Sequence, residues 1–270
     1  MECFKSFTIV FENEDFAILN KKQGIPTAPL KKGDTSALTE FCNTRTLAEQ
    51  VLGKKEVEAG LLHRLDTATS GLILIAKRQK IYDTMQHMQE LNLIEKEYIA
   101  TCDVVSATTK ESTFLPSLPH RVGTLFQITS FFVPFSKGAK KVKAVFTSSL
   151  SPNLSNKKRK ALSKKEYTTR VNLVSCKAEE VTCICRLTQG YRHQVRCHLA
   201  TVGLPIKGDA LYNIKYIEEH RAILAEQISS HSYPLALQAC KISFPSPYLP
   251  LSHTTERLSF SLPLQDRTNP

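Results

Sequence analysis

His63-Arg64-Leu65-Asp66-Thr67-Ala68-Thr69-Ser70-Gly71-Leu72-Ile73-Leu74-Ile75-Ala76 joins two opposed kinds of sequence. The first half is polar, with two turn-prone threonines, and Gly60 to Ser70 reads as loop. The second half, Gly71 to Ala76, is a continuous apolar run. It is short enough for a strand buried on both faces. If the backbone before that strand is extended, Arg64 and Asp66 point to one side, and His63 and Leu65 to the other. A guanidinium beside a carboxylate favours the charged form, and a charged carboxylate serves as nucleophile or base. Taken by itself, an aspartate in a loop is more often a turn residue or a helix cap.

Outward from this segment the pattern is mostly that of strands. Phe7 to Phe11 and Phe16 to Asn20 alternate like a strand pair, with Asn13-Glu14-Asp15 as the turn. Lys21 to Pro29 is a Gly/Pro loop, and Ser36 to Leu52 is weakly helical. Arg78 to Leu91 has helical spacing, with Ile81, Met85, Met88 and Leu91 on one side. Strands are expected over Glu97–Val104, Phe131–Val133, Val142–Thr147, Thr168–Val174, Val181–Leu187 and Leu235–Phe244, the last before a Pro-rich tail. Tyr191 to Val202 reads as helix, with Val195, Leu199 and Val202 as its apolar stripe. This is not the regular beat of a doubly wound sheet. It predicts an α+β fold: a large mixed or mainly antiparallel sheet flanked by helices and loops.

The 270 residues suffice for one large domain or two modest ones. There are 36 Lys and Arg against 25 Asp and Glu, a net charge of +11, which favours a polyanionic partner. Six basic residues crowd the nine from Lys157 to Lys165, within a basic loop region spanning 137–166. Such a run is either a solvated loop or a phosphate-binding one. The eight cysteines lie mostly in apolar runs without a CxxC pair, as expected of reduced thiols in a cytoplasmic protein. No signal peptide and no apolar run long enough to span a bilayer is present, so no membrane partner is expected.

A second chemical segment runs from Leu187 to Tyr212. Tyr191, Arg192, His193, Arg196 and His198 stand near the start of a predicted helix after Gly190. Helix N-termini and arginines attract phosphate or carboxylate, and Arg192 and Arg196 lie one turn apart. A basic surface helix would carry the same residues.

Taken together, the two segments resemble the RluA family of RNA pseudouridine synthases. HRLDTATSG, His63 to Gly71, is similar to that family's signature, and an apolar strand follows it here as there. The family's Lys-x-Tyr strand is matched by Lys96-Glu97-Tyr98, and its HQ-x-R-x-H helix and GD-x-x-Y turn by Gly190 to Tyr212. Its opening K-x-x-G loop resembles Phe11 to Gly24, and its late strand Leu237 to Pro247. The resemblance implies Asp66 as the catalytic aspartate, Tyr98 as the ring stacked on the target base, and Arg196 as the arginine paired with the aspartate. It implies Arg64 beside the flipped-out RNA, with His63, Arg192, His193 and Gln194 completing the substrate-binding set. No metal and no cofactor is implied. The implied partner is RNA, ribosomal (large subunit) first and transfer RNA second, with no DNA, acted on by a monomer.

Some positions depart from the family pattern. The usual Gly-Arg corner is Gly190-Tyr191, the usual K-P-x-G opening is Lys21-Lys22-Gln23-Gly24 without its proline, and the late histidine is Gln238. The catalytic pattern begins near the N-terminus, so a single catalytic domain without an S4-type RNA-binding domain is expected over 1–270. Two rival readings are a non-catalytic RNA-binding module and a metal-dependent hydrolase built on Cys183, Cys185, His193 and His198. Against the second, the Cys-x-Cys pair lies in an apolar strand, and the two histidines are five residues apart, off a common helix face.

Overall fold

A computed structural model describes residues 5–44, 51–105, 121–149, 160–221, 234–249 and 256–263. Its strands are β1 (Phe7–Glu12), β2 (Phe16–Lys21), β3 (Ser70–Ala76), β4 (Glu95–Asp103), β5 (Leu125–Phe135), β6 (Lys141–Val145), β7 (Tyr167–Cys176), β8 (Glu180–Leu187), β9 (Leu237–Pro245) and β10 (Arg257–Ser261). Its helices are α1 (Ala37–Thr44), α2 (Gln79–Glu90), α3 (Gln194–Thr201) and α4 (Ile214–Glu219). The α+β class is the observed one. Two compact units form, Met1–Tyr98 with Gln238–Pro270, and Ile99–Leu237.

In the first unit the strand order is β1-β2-β3-β9-β4, with β10 also on β9. The β1–β2 turn is fixed locally: Asn13 Oδ1 accepts hydrogen bonds from the backbone N–H of Asp15 and of Phe16, both at 2.9 Å. β3 is buried from Gly71 to Ala76, antiparallel to β2 and parallel to β9, as its unbroken apolar run predicts. On α2, Ile81, Tyr82, Met85 and Met88 face a core that includes Phe16, Ile18, Leu72, Leu74 and Phe244. Leu91, expected on the same stripe, is 48% exposed, because the helix stops at Glu90 and Leu91 caps it. Within the predicted tail, Arg257–Ser261 instead forms β10, antiparallel to β9, and places Phe260 4.9 Å from Phe11, centroid to centroid.

The second unit has the order β8-β7-β5-β6, all antiparallel. β5 is far longer than the expected Phe131–Val133, since Ile128, Ser130 and Phe132 alternate as buried residues while Leu125 and Phe135 are exposed. Of the basic stretch 137–166, residues 150–159 lie outside the described residues. Its remainder forms short 3-10 turns at Lys137–Ala139 and Thr147–Ser149 around β6.

Gly71 sits where β3 meets β9, at φ +118°. A Cβ there would meet the carbonyl oxygen of Ala239 and stand 2.5 Å from its nitrogen. Both the backbone angle and the close strand approach require glycine. Gly71→Ala is expected to cost about 2–4 kcal/mol in urea unfolding. A loss below about 0.5 kcal/mol would contradict the close packing.

Candidate active site

The loop that carries Asp66 is fastened at several points by the segment after β2. The Thr27 hydroxyl accepts from the Leu65 N–H at 3.1 Å and donates to the Leu65 carbonyl at 2.7 Å. Gly24 N–H donates to the Thr67 carbonyl at 2.9 Å, and Gln23 Nε2 to that of Ala68 at 2.8 Å. A turn closes the loop from within, with Thr69 N–H donating to the Asp66 carbonyl at 3.0 Å. Leu65 is buried and Asp66 half-buried, so the loop is anchored by one residue and presents the next.

Lys21, at the end of β2, is fully buried beneath this loop. Its ammonium donates to the carbonyls of Ile25 at 2.7 Å, Lys22 at 2.9 Å and Thr67 at 3.4 Å. Burial pulls its pKa down to about 8, against the opposing attraction of the Asp66 carboxylate. Lysine in the first unit thus supplies a positive charge felt at Asp66. The sequence reading missed both Lys21 and Thr27. Only Lys21 carries a local signal, as the first residue of the K-x-x-G loop.

The other first-unit residues divide between surface and interior. Arg64 is exposed and pairs with Glu58 at 3.1 Å. The ring nitrogens of His63 are buried and, among the described residues, find no hydrogen-bond partner. Burial first, and then the nearby Lys96, push its pKa well below the ordinary histidine value. This divides 63–66 as extended backbone would, with His63 and Leu65 inward. Tyr98 is buried on β4, and Lys96, two residues earlier on the same strand face, is buried as well. Burial, then repulsion from Lys54, lowers the Lys96 pKa to about 8.

In the second unit the expected helix 191–202 begins only at Gln194. His193 holds a left-handed backbone at φ 54°, which a helix cannot continue through, so Tyr191 to His193 form a turn instead. The Gln194 side chain is buried and spends its groups on this turn and on β7. Its oxygen accepts from Tyr191 N–H at 2.9 Å, and its nitrogen donates to Thr168 O and Thr169 Oγ1 at 3.0 and 3.1 Å. Arg192 is exposed and donates to the carbonyls of Ala139 and Lys141 at 2.6 and 3.2 Å.

Arg196 is buried and forms a bidentate pair with Asp209, Nε to Oδ2 and Nη2 to Oδ1, each 2.8 Å. Asp209 Oδ1 also accepts from the N–H groups of Leu211 and Tyr212, and the guanidinium lies 5.4 Å from the Tyr212 ring centre. Tyr212 in turn hydrogen-bonds His193 Nδ1 at 3.1 Å. Arg192 and Arg196 are therefore engaged separately rather than on one anion. Asp209, part of the GD turn in the sequence, anchors this group.

The residues of the rival metal site do not converge. Both ring nitrogens of His198 are bonded, to Ser130 and to Thr169 at 2.9 Å, and Cys183 and Cys185 are buried in β8. Among the described residues no group of three or more His, Cys, Asp or Glu is placed to hold a metal.

Residues 15–201 match a family model described as RNA pseudouridylate synthase. An uncharacterized RNA pseudouridine synthase of Helicobacter pylori is 25% identical over 242 residues, 88% of this chain and 65% of that protein. A tRNA pseudouridine(31) synthase of Saccharomyces cerevisiae is 28% identical over 209 residues, 76% of this chain and 46% of that one. The chain thus spans under two thirds of the length of these relatives. The solved structure of human RNA Pseudouridylate Synthase Domain Containing 4 superposes with a TM-score of 0.59 at 17% identity, covering 94% of this chain and 87% of that one, a likeness of fold.

Two consequences follow from the buried charges. Asp209→Asn removes the bidentate carboxylate from the buried Arg196, at an expected cost of about 3–5 kcal/mol by denaturant titration; a cost below about 1 kcal/mol would contradict the pairing. Lys96 has a depressed folded pKa, so its ammonium opposes folding below pH 8 and ceases to do so as pH rises from 8 to 10.5. Lys96→Met is accordingly expected to exceed wild type in stability at neutral pH, with the gap narrowing across that window. A gap constant with pH would refute the burial of a charged Lys96.

Proposed function

This chain belongs to the RNA pseudouridylate synthase family, and on that premise we propose that it isomerises uridine to pseudouridine within an RNA, with Asp66 as the catalytic residue. The observation that carries the reading is the fastening of the Asp66 loop: Thr27 grips the residue before the aspartate, and the buried Lys21 ammonium lies beneath it. A catalytic carboxylate needs a fixed position and a local positive charge, and this loop provides both.

In the reaction the bond from C1′ to N1 breaks and one from C1′ to C5 forms. C5 loses a proton and N1 gains one, so the product is an isomer and no electrons are exchanged. The uridine first leaves its stack, at a cost of a few kcal/mol, roughly. Tyr98 offers the ring on which the flipped base stacks, worth on the order of 1–3 kcal/mol. Arg64 supports the flipped-out RNA. The family resemblance assigns Arg196, held by Asp209, a catalytic role, and His63, Arg192, His193 and Gln194 a role in substrate binding.

The proposed target is a uridine in ribosomal RNA, of the large subunit. Transfer RNA is the second reading, favoured by the yeast relative's name. We place the protein in the cytoplasm as a monomer. Six of its seven described cysteines are buried, as suits reduced thiols, and no helix among the described residues is long and apolar enough to cross a membrane.

With RNA tritiated at uridine C5, Asp66→Asn is expected to lower tritium release by at least about a thousandfold while RNA affinity stays near wild type. Retained release would sink the assignment of Asp66. Tyr98→Phe keeps the stacking ring but is expected to lose turnover through its missing hydroxyl; unchanged release would remove the hydroxyl from proton transfer.

A further inference from the structure

Strand alternation sorts the sheet of the second unit into two unlike faces. On β5, Ile128, Ser130 and Phe132 are buried, while Phe131, Val133 and Phe135 point the other way. α3 covers the first face, where His198 bonds Ser130 and Thr169 and Gln194 bonds Thr169. By register, the second face carries Phe131 and Phe135 of β5, Lys141 and Lys143 of β6, Arg170 of β7 and Arg186 of β8.

This face is basic and aromatic together. Phe135 is 53% exposed, and Lys143 Nζ stands 5.9 Å from its ring centre. Arg170 is exposed and lies directly across from Arg186, so two guanidinium groups stand side by side on this face. β5, β6 and β7 contain no acidic residue, and the one acid of β8, Glu180, pairs with Lys207 and Lys177. Charge is concentrated in the same region of sequence. Residues 131–168 hold ten lysines and arginines against the single acid Glu166, so they carry nine of the net +11 charges.

We propose that this sheet face docks a single-stranded segment of the RNA that carries the target uridine. Bases stack on Phe131 and Phe135, and Lys141, Lys143, Arg170 and Arg186 take the phosphates. The proposal rests on the reading that the substrate is RNA. The exposed Phe135 and the half-buried Phe131 select an unpaired strand, because a duplex keeps the faces of its bases stacked inside. The two rings sit four residues apart on one strand face, about 13 Å, room for more than one base.

The test measures binding without turnover, by fluorescence anisotropy of the full chain. One probe is a labelled oligouridylate of about twelve nucleotides, and the other an RNA duplex of about the same length. Phe135→Ala removes an exposed ring, so its melting temperature should match wild type. It is expected to bind the oligouridylate about tenfold more weakly and the duplex within about twofold of wild type. Lys143→Gln with Arg170→Gln should flatten the dependence of log affinity on log KCl by about 1.4. Unchanged oligouridylate affinity in the first variant, or an equal loss on both probes, would overturn stacking on this face. An unchanged salt slope in the second would overturn phosphate docking. Unaltered binding by Phe135→Ala alongside normal tritium release from the wild type would defeat this proposal alone. The expected losses with no pseudouridine formed would uphold it and defeat the assigned reaction.

Discussion

The proposed reactive centre depends on one contact pair: the Thr27 hydroxyl that both accepts from and donates to the backbone of Leu65. A loop of polar residues has many conformations, and fixing each residue costs about 1–2 kcal/mol in entropy. Here the cost is offset by bonds from outside the loop, from Thr27, Gly24, Gln23 and Lys21, and by burial of Leu65. The backbone on either side of the aspartate is thereby held in place. Gly71 extends the same constraint into the sheet, since only glycine permits β3 to approach β9 immediately after the loop.

Charge is arranged differently in the two units. The first buries two ammonium groups, Lys21 and Lys96, each with its pKa depressed by desolvation. A buried cation is costly unless something answers it, and for Lys21 three carbonyls and the field of Asp66 do so. The second unit instead neutralises its buried charge in place. Asp209 meets Arg196 with two charge-assisted bonds and accepts two backbone N–H groups besides. That pair also orders the turn to Tyr212, and Tyr212 reaches back to His193. The left-handed His193, a strained position for a side chain, persists inside this network.

Much of this architecture was legible in the sequence where periodicity was clean. The run from Gly71 to Ala76 announced a strand buried on both faces, and Ile81, Met85 and Met88 announced the inner side of α2. The Asp66 loop was legible as a motif. What escaped were features settled by distant partners. Thr27 acts on Leu65, 38 positions away, and nothing local marks it. Arg196 meets Asp209 across a turn, and a GD dipeptide alone reads as turn chemistry. β5 was cut short because Gln127, Thr129 and Ser130 interrupt its apolar signal, although Ser130 is buried against His198. β10 was hidden among prolines, its pattern reduced to Leu258 and Phe260. The start of α3 was misplaced by three residues because a positive φ at histidine leaves no mark on composition.

The proposed activity is the placing of pseudouridine in RNA. The most direct measurement is a map of pseudouridine across total RNA from cells with the gene, without it, and with the gene restored. The account predicts that one or a few positions, in ribosomal RNA, lose the modification with the gene and regain it on restoration. Identical maps from all three cultures would contradict it.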